Sequence, residues 1–313
     1  MNKLKPGPII GLTIITFVMF SLISCSSKQK ANDQLIIVTS IYPYEILVRQ
    51  IVGEEYNVSS FIPADASPHT YSPTPNDLKM LENADLIISN GWGLEKHLEK
   101  FLVDLGNKHI SVDQFIIDHL SDSHKNITDQ VRRHDHDSEH HHHGSNPHFW
   151  LDPILLKQIA AGITEKLIEL DPQNEEHYLS GLAEILSNLN HIDSVVREER
   201  KTLGEINVMN FHDAFYYFNR RYDINSIGSI IASPGKEPTP RELLETGQLI
   251  SRYKVKVIFI EPQLNPKAAQ IIAQEHGVKV DFLDPLGSYF KVKSIRDLFL
   301  SNWNQIKKHY PER

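Results

Sequence analysis

PQNEEHYLSGLAEILSNLNHIDSVVREERKTL, residues 172–203, decides the architecture of this chain. Tyr178, Leu182, Ile185, Leu189, Ile192 and Val196 recur there at three- and four-residue steps, the period of one face of an α-helix. The pattern predicts a single amphipathic helix of roughly thirty residues, about 45 Å long at ~1.5 Å per residue. On either side, short apolar runs alternate with amphipathic stretches. Upstream, 35–40 (LIIVTS), 57–62 (NVSSFI), 85–91 (DLIISNG) and 109–113 (HISVD) read as buried strands, with helical spacing in 43–51, 74–83 and 95–105. Downstream, strands at 206–211, 224–231, 256–261 and 279–283 alternate with helices at 214–222, 239–253, 266–276 and 294–309. Strands alternating with helices imply parallel βαβ units with right-handed crossovers. The expected fold is α/β: an N-terminal lobe over 34–171, a linking helix over 172–203 and a similar C-terminal lobe over 204–313.

The start of the chain reads differently. Lys3 and Lys5, an apolar run over 9–23 and small residues before Cys25 predict a secretory signal peptide over 1–24. The apolar run is too short for a comfortable spanning helix. Leu22-Ile23-Ser24-Cys25 resembles a bacterial lipobox, so Cys25 is expected to carry a lipid, with 25–33 as a flexible tether. Cys25 is the only cysteine, so no internal disulfide is expected in an oxidising compartment. Losing the signal removes two lysines and no acid, moving the formal net charge from -8 to -10. That balance suits cations and argues against nucleic acid.

Residues 118–147 are polar and histidine-rich with no apolar period, and are expected to form a disordered or weakly ordered loop. His134, His136, His140, His141, His142 and His143, interleaved with Asp135, Asp137 and Glu139, offer many weak metal-ligand combinations. A flexible tract cannot preset a coordination geometry, so these six histidines read as an accessory collector.

A tight site is expected where strands end, because ligands of open parallel sheets bind beyond the carboxyl ends of strands. His69 (SPHTYSPTP), His148 (NPHFWLDP), His212 (VMNFHDAF) and Asp284 (VDFLDPLG) stand there, two from each half. A cleft between the halves would collect all four. Imidazole plus carboxylate, without thiol, is a ligand set for zinc. Each residue also has a plain structural use: His69 in a proline-flanked loop, His148 packed on Trp150, His212 capping a helix, Asp284 in a turn. Glu261, in FIEP, is the reserve oxygen ligand, and Asp152, in WLDP, reads as a helix cap or as an acceptor behind a ligand.

SPHTYSPTPNDL, NPHFWLDP, FHDAFYYFNRRY, Glu261-Pro262 and LDPLG together resemble the substrate-binding lipoproteins of zinc and manganese ABC transporters, most closely the zinc (ZnuA-like) type. The resemblance implies two Rossmann-like lobes joined by one long, stiff helix, with metal held in the cleft by His69, His148, His212 and Asp284 and only modest closure on binding. Manganese-type members place a glutamate where His212 stands, which favours Zn²⁺ over Mn²⁺. Some zinc-type relatives carry a glutamate beside the first histidine and a disulfide in the second lobe; here Pro68 stands in that place and no cysteine pair exists. Either Asp284 or water is therefore left as the fourth ligand. The implied function is capture of extracytoplasmic Zn²⁺, by a monomer lipid-anchored to a bacterial membrane, for an ABC permease and its ATPase. Alternatives are a manganese- or iron-specific uptake protein, a metal-binding adhesin, and a zinc hydrolase. The hydrolase reading lacks an HExxH helix, and no catalytic residue is expected.

Overall fold

The apolar runs become short parallel strands covered by helices, which is why β3 (Leu86–Ser89) and β7 (Val257–Ile260) are buried along their whole length. The computed structural model describes residues 34–116 and 146–312, and Leu35–Arg313 form one compact unit. The signal segment 1–24, Cys25, its tether and the histidines of 134–143 lie outside the described residues. Among the described residues no helix is long and apolar enough to cross a membrane.

The first sheet joins β1 (Ile36–Thr39), β2 (Asn57–Ser60), β3 and β4 (His109–Ser111) in the parallel order β2-β1-β3-β4. The second joins β5 (Asn207–Asn210), β6 (Asn225–Ser229), β7 and β8 (Lys279–Phe282) in the same pattern, β6-β5-β7-β8. In both, the chain leaves the first strand to one side and returns to the other. The strand order therefore reverses between β1 and β3, and again between β5 and β7. Such reversals open a crevice at the strand ends, the place where open α/β sheets bind ligands.

The first sheet carries α1 (Tyr42–Val52), α2 (Pro75–Asn83), α3 (Glu99–Asp104) and α4 (Pro153–Leu170). After α5 (Glu175–Thr202), the second carries α6 (Tyr216–Arg221), α7 (Pro240–Arg252), α8 (Lys267–His276) and α9 (Ile295–Lys307). Three expectations need correction. The helix expected over 95–105 shrinks to α3, because Glu95 turns back to accept from the Asn90 and Gly91 amides at 2.8 and 3.1 Å. The stretch 214–222 begins as a 3₁₀ turn at Asp213–Phe215 before α6. Pro172–Asn174 is likewise a 3₁₀ turn, and the long helix runs from Glu175 for 28 residues. α4 has no counterpart among the expected helices. Its buried positions, from Pro153 through Leu155, Leu156, Ile159, Ala160, Ile163 and Thr164 to Leu167, do recur at helical steps, with Lys157, Gln158, Glu165 and Glu169 on the opposite side, so this helix is an addition to the expected set.

α5 packs on α1 and α4 of the first half and on α9 of the second, through Tyr178, Ile185, Leu189, Ile192 and Val196. Its approach to α1 is tight. A Cβ on Gly181 would lie 2.3 Å from the Ile51 carbonyl oxygen, so only glycine fits. One apolar core runs unbroken from Ile37 and Val38 through α5 to Val208, Phe259, Phe299 and Trp303. A second, smaller core fills the space between the outer face of the second sheet and α7 and α8. The strand ends that face each other thus belong to one packed body.

Candidate metal centre

His69 sits in the loop between β2 and α2, whose far end is fixed by a capping box. Thr74 N donates to Asp77 Oδ2 at 2.7 Å, Asp77 N donates to Thr74 Oγ1 at 3.3 Å, and Tyr71 Oη donates to the same carboxylate at 2.6 Å. The near end is tied across the cleft, where Gln263 Nε2 donates to Ala64 O at 3.0 Å.

His148 is held more firmly. Its backbone N–H and its Nδ1 both meet Asn146 Oδ1, at 3.0 and 2.9 Å. Asn146 Nδ2 donates to Asp213 O at 2.7 Å, so one side chain ties His148 to the segment carrying His212. Behind it, Tyr44 Oη donates to Asn90 Oδ1 at 2.6 Å and Asn90 Nδ2 donates to Pro147 O at 3.0 Å. Asn90 follows β3 and His212 follows β5, so both sheet reversals serve the same spot.

The three rings converge. Centroids of His69 and His148 are 5.0 Å apart, His69 and His212 5.0 Å, and His148 and His212 4.8 Å. One nitrogen from each lies within 4.8 Å of the others, and this is the only such cluster of histidine or acid among the described residues. Zinc–nitrogen bonds of about 2.0–2.1 Å at tetrahedral angles place ligand nitrogens about 3.3 Å apart. His69 Nε2 and His148 Nε2 already stand 3.0 Å apart. An amide oxygen only accepts, so His148 donates from Nδ1 to Asn146 and keeps the Nε2 lone pair free. His69 then donates its Nε2–H to that lone pair, and for His69 Nε2 to face a cation instead the ring would carry its proton on Nδ1.

The surroundings keep the His69 and His148 rings neutral, the form that binds metal. Burial, then the nearby His212, lowers the His69 imidazole to about 3. Burial, reinforced by His212 and His69, holds His148 well below its usual range. Glu261 follows β7 next to His212, is 4% exposed, and places Oε2 3.7 Å from His212 Nδ1. Burial raises its carboxyl, only partly offset by His212. The cleft wall is completed by Pro68, Trp150, Pro234, Leu264, Pro285 and Leu286. Trp150 donates from Nε1 to Pro285 O at 2.9 Å, bracing the wall across the two halves.

Asp284, expected beside the three histidines, stands apart from them. Its Oδ1 accepts from Leu286 N and Gln263 Nε2, both at 3.1 Å, and its Oδ2 accepts from Tyr289 N at 2.6 Å. The carboxylate is fully buried and held by two amides of the turn it closes and by Gln263. Asp152 is likewise structural: it caps α4 through Ile154 N and Leu155 N at 2.7 and 3.2 Å, and pairs with Arg221 Nε at 2.7 Å. Sequence reasoning missed Asn90, Asn146, Gln263 and Arg221; only Asn146 left a signal, as the Asn-Pro before His148.

Two parallel α/β sheets bringing together three imidazoles, two of them buried and one partly buried, fit a metal-binding protein rather than a nucleotide binder. The chain belongs to the family described as zinc-uptake complex component A, periplasmic, which matches residues 37–309. The high-affinity zinc uptake system protein ZnuA of Bacillus subtilis is 28% identical over 299 residues, covering 92% of each chain. The zinc-binding lipoprotein AdcA of Streptococcus pneumoniae is 27% identical over 279 residues, 89% of this chain. The chain spans only 55% of that relative's length. A solved ZnuA carrying a 138–173 deletion, with zinc bound, superimposes with a TM-score of 0.73 at 26% identity, covering 90% of this chain and all of that one.

Proposed function

We propose that the protein captures Zn²⁺ outside the cytoplasm and hands it to an ABC permease driven by a cytoplasmic ATPase. The convergence of His69, His148 and His212 carries this reading. Three neutral imidazoles suit tetrahedral zinc, whereas manganese favours more oxygen ligands. With Asp284 committed to its own turn, water takes the fourth position and exchanges readily when the ion is passed on. The family's role in uptake and the zinc named in its relatives support the same cargo. Lipidation at Cys25 would hold the protein near the permease, and the histidines of 134–143 would gather ions for the tight site.

The test is titration of the metal-free protein against a chromophoric chelator. One tightly bound Zn²⁺ per chain in wild type, beside any weaker ions, and loss of that tight ion in His148→Ala are expected. Equal zinc affinity in wild type and His148→Ala would refute the site. Growth of a deletion strain that is rescued by zinc, and not by manganese, would assign the cargo in the cell.

A further inference from the structure

Glu261 is buried next to the three histidines, yet its Oε2 has no hydrogen-bond partner. A buried carboxylate oxygen left unpaired is costly, and such a group calls for an explanation. His212 Nδ1 stands 3.7 Å from Oε2, just beyond hydrogen-bond reach, and the His212 backbone amide also bears on the same carboxylate. The two residues cannot drift apart, because they leave paired strands: Phe211 N donates to Phe259 O at 2.7 Å, one step before His212 and two before Glu261. A ring that turns Nδ1 toward Glu261 leaves Nε2 for a ligand on its other edge. His148 shows the same arrangement, with Asn146 behind Nδ1 and Nε2 facing His69.

We propose that Glu261 is a positioning residue for the bound ion, accepting from His212 Nδ1–H so that His212 Nε2 is the zinc donor. The inference rests on the three-histidine site proposed above. A closure of less than about 1 Å makes the hydrogen bond, which then has ordinary length. Glu261 is the one acidic residue lining the cleft among the described residues, so it also offsets the charge of a dication held by three neutral rings. A carboxylate behind an imidazole fixes its tautomer and strengthens it as a donor, and losing such a partner weakens metal binding by about 10–100-fold.

The experiment compares Glu261→Met, which removes the acceptor, with Glu261→Gln, which keeps an acceptor oxygen and loses the charge. Zinc affinity is read by chelator competition, fold integrity by thermal melting of the metal-free protein, and coordination by the visible spectrum of the Co²⁺ form. Expected are a 10–100-fold loss in Glu261→Met, a smaller loss in Glu261→Gln, and unchanged four-coordinate Co²⁺ bands in both. Wild-type affinity in Glu261→Met would overturn the proposal. So would altered Co²⁺ bands in Glu261→Gln, which would make Glu261 itself a ligand. His212→Ala serves as the control: if it keeps wild-type affinity, the three-histidine site fails, independently of Glu261.

Discussion

Asp152→Ala tests how the two halves are locked together. The Asp152 carboxylate caps α4 with two amide hydrogen bonds and meets Arg221 of α6 at 2.7 Å across the interface. Losing an N-cap costs about 1 kcal/mol. Stranding the partner of a buried pair costs about 3–5 kcal/mol, and the Arg221 side chain, 19% exposed, reaches enough water to sit at the low end. The expected loss is about 4 kcal/mol, a large share of the roughly 5–15 kcal/mol that stabilises a typical domain. Burial raises the Asp152 carboxyl despite Arg221 and the two amides, so the pair as a whole adds little net stability. Asp152→Asn, which keeps an acceptor for the cap, should therefore lose about 3 kcal/mol, and Asp152→Asn with Arg221→Met should return to within about 1 kcal/mol of wild type. Urea unfolding of the metal-free protein measures all three. A double variant as unstable as Asp152→Asn would refute the reasoning, because it would show that the pair itself, not the stranded cation, carries the energy.

Acid should destabilise the metal-free protein through its site. His69 binds its proton only near pH 3 when folded but near 6.5 when unfolded, so the unfolded chain holds more protons between those values, and stability falls as pH drops through that window. The slope contributed by one such histidine approaches about 1.4 kcal/mol per pH unit; urea midpoints at pH 7 and pH 4.5 should diverge less in His69→Phe than in wild type. Gly181→Ala should lower stability by about 1–3 kcal/mol, although alanine favours helix, because the Ile51 carbonyl blocks the added carbon; a melting temperature at or above wild type would contradict the close packing. Removing 134–143 should reduce the number of zinc ions bound per chain while one tight ion remains, and equilibrium dialysis at limiting and excess zinc would detect loss of that ion as well.

The three converging histidines were legible because each stands just past an apolar run or a loop that follows one, and strand ends are where parallel sheets bind. The choice between acids was not. Glu261 and Asp284 both end a strand and both precede proline. What separates them is the path of the chain afterwards: the amides of Leu286 and Tyr289 curl back onto Asp284, while no donor of its own turn reaches Glu261 Oε2. α4 was missed although its buried positions recur at helical steps and Lys157, Gln158, Glu165 and Glu169 mark a polar side. The Asp152–Arg221 pair joins residues 69 positions apart, and no local pattern encodes it.

Asn146 bears on two of the three histidines at once. Its side chain grips His148 and Asp213, its carbonyl accepts from Tyr217 Oη at 3.0 Å, and Asn90 secures the next residue. Among the described residues, the ring of His148 therefore takes its bearings from Asn146, from the Asp213 and Tyr217 segment and from Asn90. Replacing Asn146 itself would loosen His148 and the segment carrying His212 together, because one amide holds both.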